Sequence, residues 1–506
     1  MSGNGCRRAG LAQLPRRFDL VVIGGGITGA GIAAEAARTG ASVLLVEQGD
    51  FAGATSSASS KLVHGGLRYL KSGQWRLTLE SVRERNRLLR SRPALVQRLR
   101  FLMPVYRGAR PGLAAMRVAL AIYDLMGRSW DSRAVSAAQA LALEPGLAAE
   151  GLRGAVLYDD AQTDDARLVL CLLQEAQAAG AAALNYVRVE QVLSAGGGVR
   201  GVALRDLADG AGGEVEADLV IDAAGVQATS LPGAPAGGPA LRPLRGSHLL
   251  FSLERLPVRR AVSWLHPRDR RPVFVYPWQG VALYGTTDVD HAGGPVRMSA
   301  AEADYLLEGL ARQFPRLGLG LDDALASFAG VRPVVAGGKA DPSAESRESA
   351  IWSAPGWVGA TGGKLTTFRV TARQVLAEAA RQFPRLAPAP QYAAAAPALQ
   401  HRGEPFRQWL RQAGDSEREA VAGTPYCWGE LRWSARCEAV LHLDDLLLRR
   451  TRIGLLLAHG GAGLLERVGM ICREEMAWDQ PRWQQERARY LVLWRAQHAP
   501  HPERDA

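Results

Sequence analysis

The stretch Thr55 to Leu70, TSSASSKLVHGGLRYL, crowds four serines, Lys61, His64, two glycines, Arg68 and Tyr69 into one short run. It is either a solvated polar loop or a surface shaped to hold an anion. Hydroxyl and backbone donors suit phosphate, and a guanidinium grips it bidentately without losing its charge. Three more residues stand where neighbouring sequence shapes the backbone: His248 in RGSH, Arg332 in GVRP and Lys364 in GGKLTTFR. An imidazole titrates near neutral pH and suits a general base. The plain alternatives are salt-bridging arginines, a satisfied core histidine and a surface lysine. Asp164 and Asp165 resemble a carboxylate pair, but they precede an apolar-periodic helix, and N-capping accounts for them. Thr287–Asp288 reads as structural and near a cleft, while His266, His401, His442 and His498 have no nameable partners.

The elements that must position these residues are legible. FDLVVIGGG at 18–26 reads as a buried parallel strand, and ITGAGIAAEAARTG as a small-residue helix stopped by Gly40. ASVLLVEQGD then gives a second buried strand ending at Glu47. Gly24, Gly26 and Gly29 form G-x-G-x-x-G at the strand–helix junction: a tight turn, backbone approach to a pyrophosphate, and close helix packing. Glu47 is placed to accept from ribose hydroxyls. The fingerprint alone leaves NAD and FAD open. The strand, glycine turn and helix at 356–381 lean towards FAD, because a helix starting near Lys364–Thr367 would aim its N–H groups at a flavin pyrimidine edge. Thr366 and Thr367 read as an N-cap pair.

Elsewhere, 75–128 reads as basic and helical with interruptions at Pro93, Pro104 and Pro111. A helix is expected at 164–184, a hairpin around a glycine turn at 186–206, and a buried strand at 217–225. Residues 244–288 are strand-rich, 299–313 helical and 330–335 extended. LAPAPQYAAAAPALQ at 386–400 reads as a linker, and 403–497 as mostly helical.

The 506 residues carry a formal charge of +11, and between Arg68 and Arg128 thirteen Arg and one Lys face only three acids. That leaves nucleic acid, a membrane surface or an anionic substrate as partners, against the plain reading of a solvated helix face. Nucleic acid is disfavoured because the basic stretch lacks interleaved aromatics. Five scattered cysteines give no metal-like spacing, so no metal site and a reducing compartment are expected. The opening residues lack an apolar signal region, and no apolar run is long enough to span a bilayer. GLAAMRVALAIYDLMG reads as a core helix or, alternatively, an interfacial one.

The motifs DLVVIGGGITGAGIAAEAARTG, ATSSASSKLVHGGLRYL, DDARLVL, RGSH, YGTTD, GVRP and GGKLTTFR occur in the order found in one family. Over residues 18–380 the chain resembles the FAD-dependent, respiratory and quinone-linked glycerol-3-phosphate dehydrogenases of the D-amino-acid-oxidase-like flavoprotein superfamily. It departs in having Thr28 where the family usually has Asn. Beyond the linker it matches weakly, apart from LDDLLLRRTRIGLLL at 443–457.

The resemblance implies an α/β fold: a Rossmann-type FAD-binding domain (15–72, 160–240, 330–385), a mixed-sheet substrate cap (73–159, 241–329), a linker (386–402) and a helical C-terminal domain (403–506). It implies oxidation of glycerol 3-phosphate to dihydroxyacetone phosphate, with hydride passing from C2 to flavin N5 and electrons leaving to a quinone. Phosphate clamping is expected from Arg68 and Arg332, proton transfer from His248, and contact with phosphate or the flavin N1–C2=O edge from Lys364. Tyr69 would bond substrate or pack over the ring. FAD contacts are expected from Gly24, Gly26, Ile27, Thr28, Gly29, Glu47, Gln48, Thr55, Ser59, Ser60, Lys61, His64, Gly65, Gly66, Ala224, Gly225, Gly363, Lys364, Leu365 and Thr366. A peripheral position on the inner face of the membrane and a homodimer are the expected associations. The competing readings are an oxygen-using oxidase, a related hydroxy or amino acid oxidoreductase, and an inactive flavin-carrying binding protein.

Overall fold

The computed structural model describes residues 10–67, 75–127, 130–338, 345, 348–387 and 402–502. Arg68, Tyr69, His401 and most of the expected linker lie outside the described residues. β1 (Arg17–Ile23) and β2 (Val43–Val46) are nearly continuous apolar runs because both faces of their sheet are covered. The helix Ile27–Ala37 joins them and is built largely of Ala and Gly, so it lies close on the strands. The sheet runs β17 (Ser349–Ala354), β18 (Trp357–Gly362), β10 (Gly212–Asp222), β1, β2, β7 (Ala182–Leu184). The four pairings from β18 to β7 are parallel. β8 (Val187–Ala195) and β9 (Gly198–Asp206) form the expected hairpin and attach antiparallel to β10. This is the Rossmann-type layer.

A second, mixed sheet follows the order β15 (Val289–Asp290), β11 (Leu241–Ser252), β14 (Val281–Gly285), β13 (Pro272–Trp278), β12 (Ala261–Leu265), β4 (Gln97–Tyr106), β6 (Leu152–Gln162), β3 (Leu62–Val63). β16 (Ala324–Val335) pairs along β11, and β5 (Arg133–Ser136) along β6. The helical expectation for 75–128 is therefore only partly right. Helices Trp75–Ser91 and Leu113–Gly127 flank a ten-residue strand, β4, in which buried Leu99 and Phe101 sit beside the less buried Arg98 and Arg100. Nor is the basic segment simply a solvated face, since Arg85 is buried against Asp160 at 2.8 Å and Arg92 against Glu175 at 2.7 Å. The helix Leu113–Gly127 buries Leu120 and Tyr123 but exposes Val118 and Leu125. No helix among the described residues is long and apolar enough to cross a membrane.

The C-terminal helices are not a detached unit. Leu446, Leu447, Ile453, Tyr490 and Trp494 share an apolar core with Leu250, Ala326 and Phe328 of the mixed sheet. Their second attachment is ionic and buried. Arg449 and Arg450 reach Asp50, Arg452 reaches Asp164 and Asp165, and Glu438 takes Arg167 at 2.6 Å. Asp164 does cap the helix Asp165–Ala178, accepting from the Arg167 N–H, but it also clasps Arg452. Removing one partner of such a buried pair costs far more than forming it gains.

Candidate active site

The turn after β1 is shaped by what its glycines lack. Gly24 has φ +109°, and a Cβ there would lie 2.6 Å from the Ala223 carbonyl oxygen. A Cβ on Gly29 would overlap the Gly24 carbonyl, so only glycine lets the helix approach the strand. Gly26 stands at the helix N-cap without a side-chain cap, and the Ile27 N–H donates to Ser56 Oγ at 2.9 Å. Ser56, absent from the expected contacts, thus ties the serine loop to the glycine turn. Thr28 follows in the first helical turn, partly accessible. Glu47 accepts from Gly25 N–H at 2.7 Å and Gly49 N–H at 2.8 Å, which orients its carboxylate beside the turn. Burial pushes its pKa up, against the pull of those bonds. The neighbouring Gln48 pairs with Gln227 across to the loop after β10.

That loop holds Ala224, whose N–H donates to Asp222 Oδ1 at 2.9 Å, and Gly225 at φ +63°, whose carbonyl accepts from Thr361 Oγ1 at 2.8 Å. Asp222 has no exposed surface, and burial pushes its carboxyl up to about 8. The late turn after β18 places Gly362 and Gly363 both at φ +77° before Lys364 and Leu365. Thr366 and Thr367 make no side-chain cap on the helix Phe368–Ala379, contrary to expectation. Thr366 Oγ1 instead points at the His64 carbonyl at 3.4 Å, pinning the late turn to the serine loop. Lys364 is half-buried, and its charge acts on Glu80.

The serine loop divides its side chains between two tasks. Thr55 Oγ1 donates to the Val331 carbonyl on β16. Ser59 gives its N–H and Oγ to Asp165 Oδ2 at 3.0 and 2.7 Å, and the Lys61 ammonium joins the same carboxylate at 3.0 Å. Lys61 is fully buried, and burial, opposed by Asp165, pulls its pKa down to about 8. The expected FAD donors Ser59 and Lys61 therefore turn their side chains inward, onto a carboxylate that sequence reasoning assigned to capping alone. Gly65 serves packing as well, since a Cβ there would overlap Tyr123 and Val82; Gly66 takes φ +75°.

Ser60 faces the other way, with Oγ 2.9 Å from His248 Nε2. His248 sits on β11 opposite Gly285 of β14 and Phe328 of β16, stacked on the Phe328 ring at 4.6 Å. It has no exposed surface. Burial first, then the Arg332 and Lys61 cations, holds its imidazole well below the usual range and therefore neutral. Two residues back on the same face of β11, a Cβ on Gly246 would overlap the Arg332 guanidinium. Arg332 is thus laid flat beside His248, with Nη1 on Asp288 Oδ1 at 2.9 Å and Nη2 on Thr286 Oγ1 at 3.2 Å. Asp288, expected to be structural, is a buried counter-ion of this cation. Among the described residues no group of three or more His, Cys, Asp or Glu is placed to hold a metal ion.

Residues 19–379 match the family model "FAD dependent oxidoreductase", and 374–483 match "C-terminal domain of alpha-glycerophosphate oxidase". The chain belongs to the FAD-dependent oxidoreductase family. FAD is its cofactor, and the glycine cradle, Glu47 and the paired late turn fit it. This oxidoreductase is 35% identical over 369 residues to the aerobic glycerol-3-phosphate dehydrogenase of Bacillus subtilis and 34% over 368 residues to that of Staphylococcus haemolyticus. Each match covers 71% of this chain and 66% of the relative, just under two thirds of those proteins. Among solved structures, the Bacillus halodurans glycerol-3-phosphate dehydrogenase complexed with FAD superposes with a TM-score of 0.76 at 26% identity, covering 97% of both chains. The FAD-bound L-alpha-glycerophosphate oxidase of Mycoplasma pneumoniae, at 20% identity, covers 74% of this chain and 95% of its own with a TM-score of 0.56, and shares the fold.

Proposed function

We propose that this oxidoreductase oxidises glycerol 3-phosphate to dihydroxyacetone phosphate and passes the electrons to a quinone. The observation that carries this reading is the juxtaposition on one sheet face of a fixed guanidinium, Arg332, and a buried neutral imidazole, His248. The names of its relatives supply the substrate. FAD, when bound, supplies the two-electron acceptor for the hydrogen on C2. Arg332, with Arg68 and Lys364, holds the phosphate and so orients the carbon. His248 takes the C2 hydroxyl proton, with Ser60 fixing its ring. Thr55, Ser60, His64 and the two glycine turns face the cofactor. The FAD-binding, cap and C-terminal division given above is part of the same reading, as are a homodimer and peripheral attachment to the inner face of the membrane, for which the basic stretch 68–128 supplies charge complementary to anionic lipid.

Oxygen is the competing acceptor, favoured by the match of residues 374–483 to an oxidase domain. Steady-state turnover with glycerol 3-phosphate separates the two. Reduction of a soluble quinone analogue without peroxide release is expected. Stoichiometric peroxide would make the protein an oxidase, and turnover of glycerol at equal efficiency would remove the phosphate reading.

A further inference from the structure

Arg332 shares its carboxylate. Arg271, immediately before β13, brings Nη2 to 3.5 Å from Asp288 Oδ2, while Arg332 Nη1 takes Oδ1 at 2.9 Å. Both guanidiniums also direct an N–H at the Thr287 carbonyl, at 3.4 and 3.5 Å. The Asp288 side chain is 1% exposed, against 14% for Arg271 and 26% for Arg332. Thr287 is itself fixed: its Oγ1 donates to Glu302 at 2.6 Å and accepts from the Ser247 N–H at 2.8 Å, and Glu302 is neutralised by Arg245 at 2.7 Å. Two arginines thus converge on one buried carboxylate, and the Arg332 cation acts on His248.

An anion that takes Arg332 Nη1 competes for it with Asp288. A buried carboxylate deprived of its cation is strongly unfavourable, so a lone Arg332–Asp288 pair would hold Arg332 back from the ligand. With Arg271 already on the second carboxylate oxygen, Asp288 keeps a counter-ion while Arg332 turns to the ligand. We propose that Arg271 is a positioning residue for phosphate recognition: it retains Asp288 and thereby frees Arg332 for the substrate's anionic group. This rests on the reading of Arg332 as a phosphate clamp, and it adds a residue that acts without touching substrate.

Steady-state kinetics on the FAD-loaded protein, with glycerol 3-phosphate as substrate and inorganic phosphate as competitor, test it in four variants and one double variant. Arg332→Gln is expected to raise KM and the phosphate inhibition constant at least about tenfold. If it does not, the underlying clamp reading falls and takes the proposal with it. Arg271→Gln is expected to raise KM about tenfold with kcat within roughly twofold, and Arg271→Lys to recover most of the loss. Asp288→Asn alone should leave KM at or below that of the parent protein, and adding it to Arg271→Gln should relieve that variant's defect, because the charge that retains Arg332 is gone. A raised KM in Asp288→Asn, or a double variant worse than Arg271→Gln, would show that Asp288 merely anchors Arg332 and would overturn the proposal. So would a clear Arg332→Gln effect beside an unchanged Arg271→Gln.

Discussion

His248 shows how much one residue's environment decides. On an exposed strand its imidazole would titrate at about 6.5 and carry a partial charge at neutral pH. Here burial and two nearby cations keep it neutral, and Ser60 orients Nε2. His248→Asn is expected to slow flavin reduction by glycerol 3-phosphate roughly 10²–10⁴-fold, with apparent substrate affinity little changed, as read by anaerobic stopped-flow absorbance. An unchanged rate would move the proton acceptor elsewhere. Both His248 and Arg332 were singled out in the sequence by their motifs, RGSH and GVRP, and by the family resemblance those motifs carry. Asp288 and Asp165 were not. A carboxylate beside threonine or at a helix start reads as a turn or cap, and its second role depends on partners far away in the chain, such as Lys61 and Arg452 on Asp165. Lys61, expected to contact FAD, has its ammonium on Asp165, and a lysine next to serines shows nothing in sequence of the carboxylate behind it.

The dinucleotide turn works as a unit of strand, glycine loop and helix, and its spacing was readable because each glycine answers one local steric demand. Gly29→Ala is expected to push the helix Ile27–Ala37 off β1, since its methyl would overlap the Gly24 carbonyl. Purified Gly29→Ala protein should contain well under half an equivalent of FAD, measured from the visible spectrum of the released flavin; full occupancy would mean that the helix relaxes without disturbing the site. β4 was missed because its charged Arg98 and Arg100 and its Pro104 resemble the breaks of a basic helical segment, whereas the actual signal is the alternation of those arginines with Leu99 and Phe101. Pairing with β6 along ten residues overrides local propensity there.

The C-terminal helices are joined to the rest of the molecule by buried ion pairs as well as by a shared apolar core. The C-terminal region, expected to match only weakly, matches a family domain over residues 374–483, and its LDDLLLRRTR stretch delivers three arginines onto Asp50 and Asp165. Glu438 returns the arrangement, held at about 2 by Arg167 and Arg402 against the burial that would raise it. An unfolded glutamate titrates near about 4.3, so this contribution to stability is complete above roughly that pH and is lost as pH falls towards 2. Glu438→Gln, which takes the carboxylate from buried Arg167 while Arg402 keeps Glu430, should destabilise the protein by about 3–5 kcal/mol at neutral pH and flatten the acid limb of its stability, both read from thermal or denaturant unfolding. Equal stability at pH 7 would mean that the Glu438–Arg167 pair adds nothing net to the attachment of the C-terminal helices. The most direct test of the proposed activity is to add glycerol 3-phosphate anaerobically to the purified yellow protein. Loss of the oxidised flavin band with one equivalent of dihydroxyacetone phosphate formed is the predicted result; a spectrum that stays oxidised would contradict it.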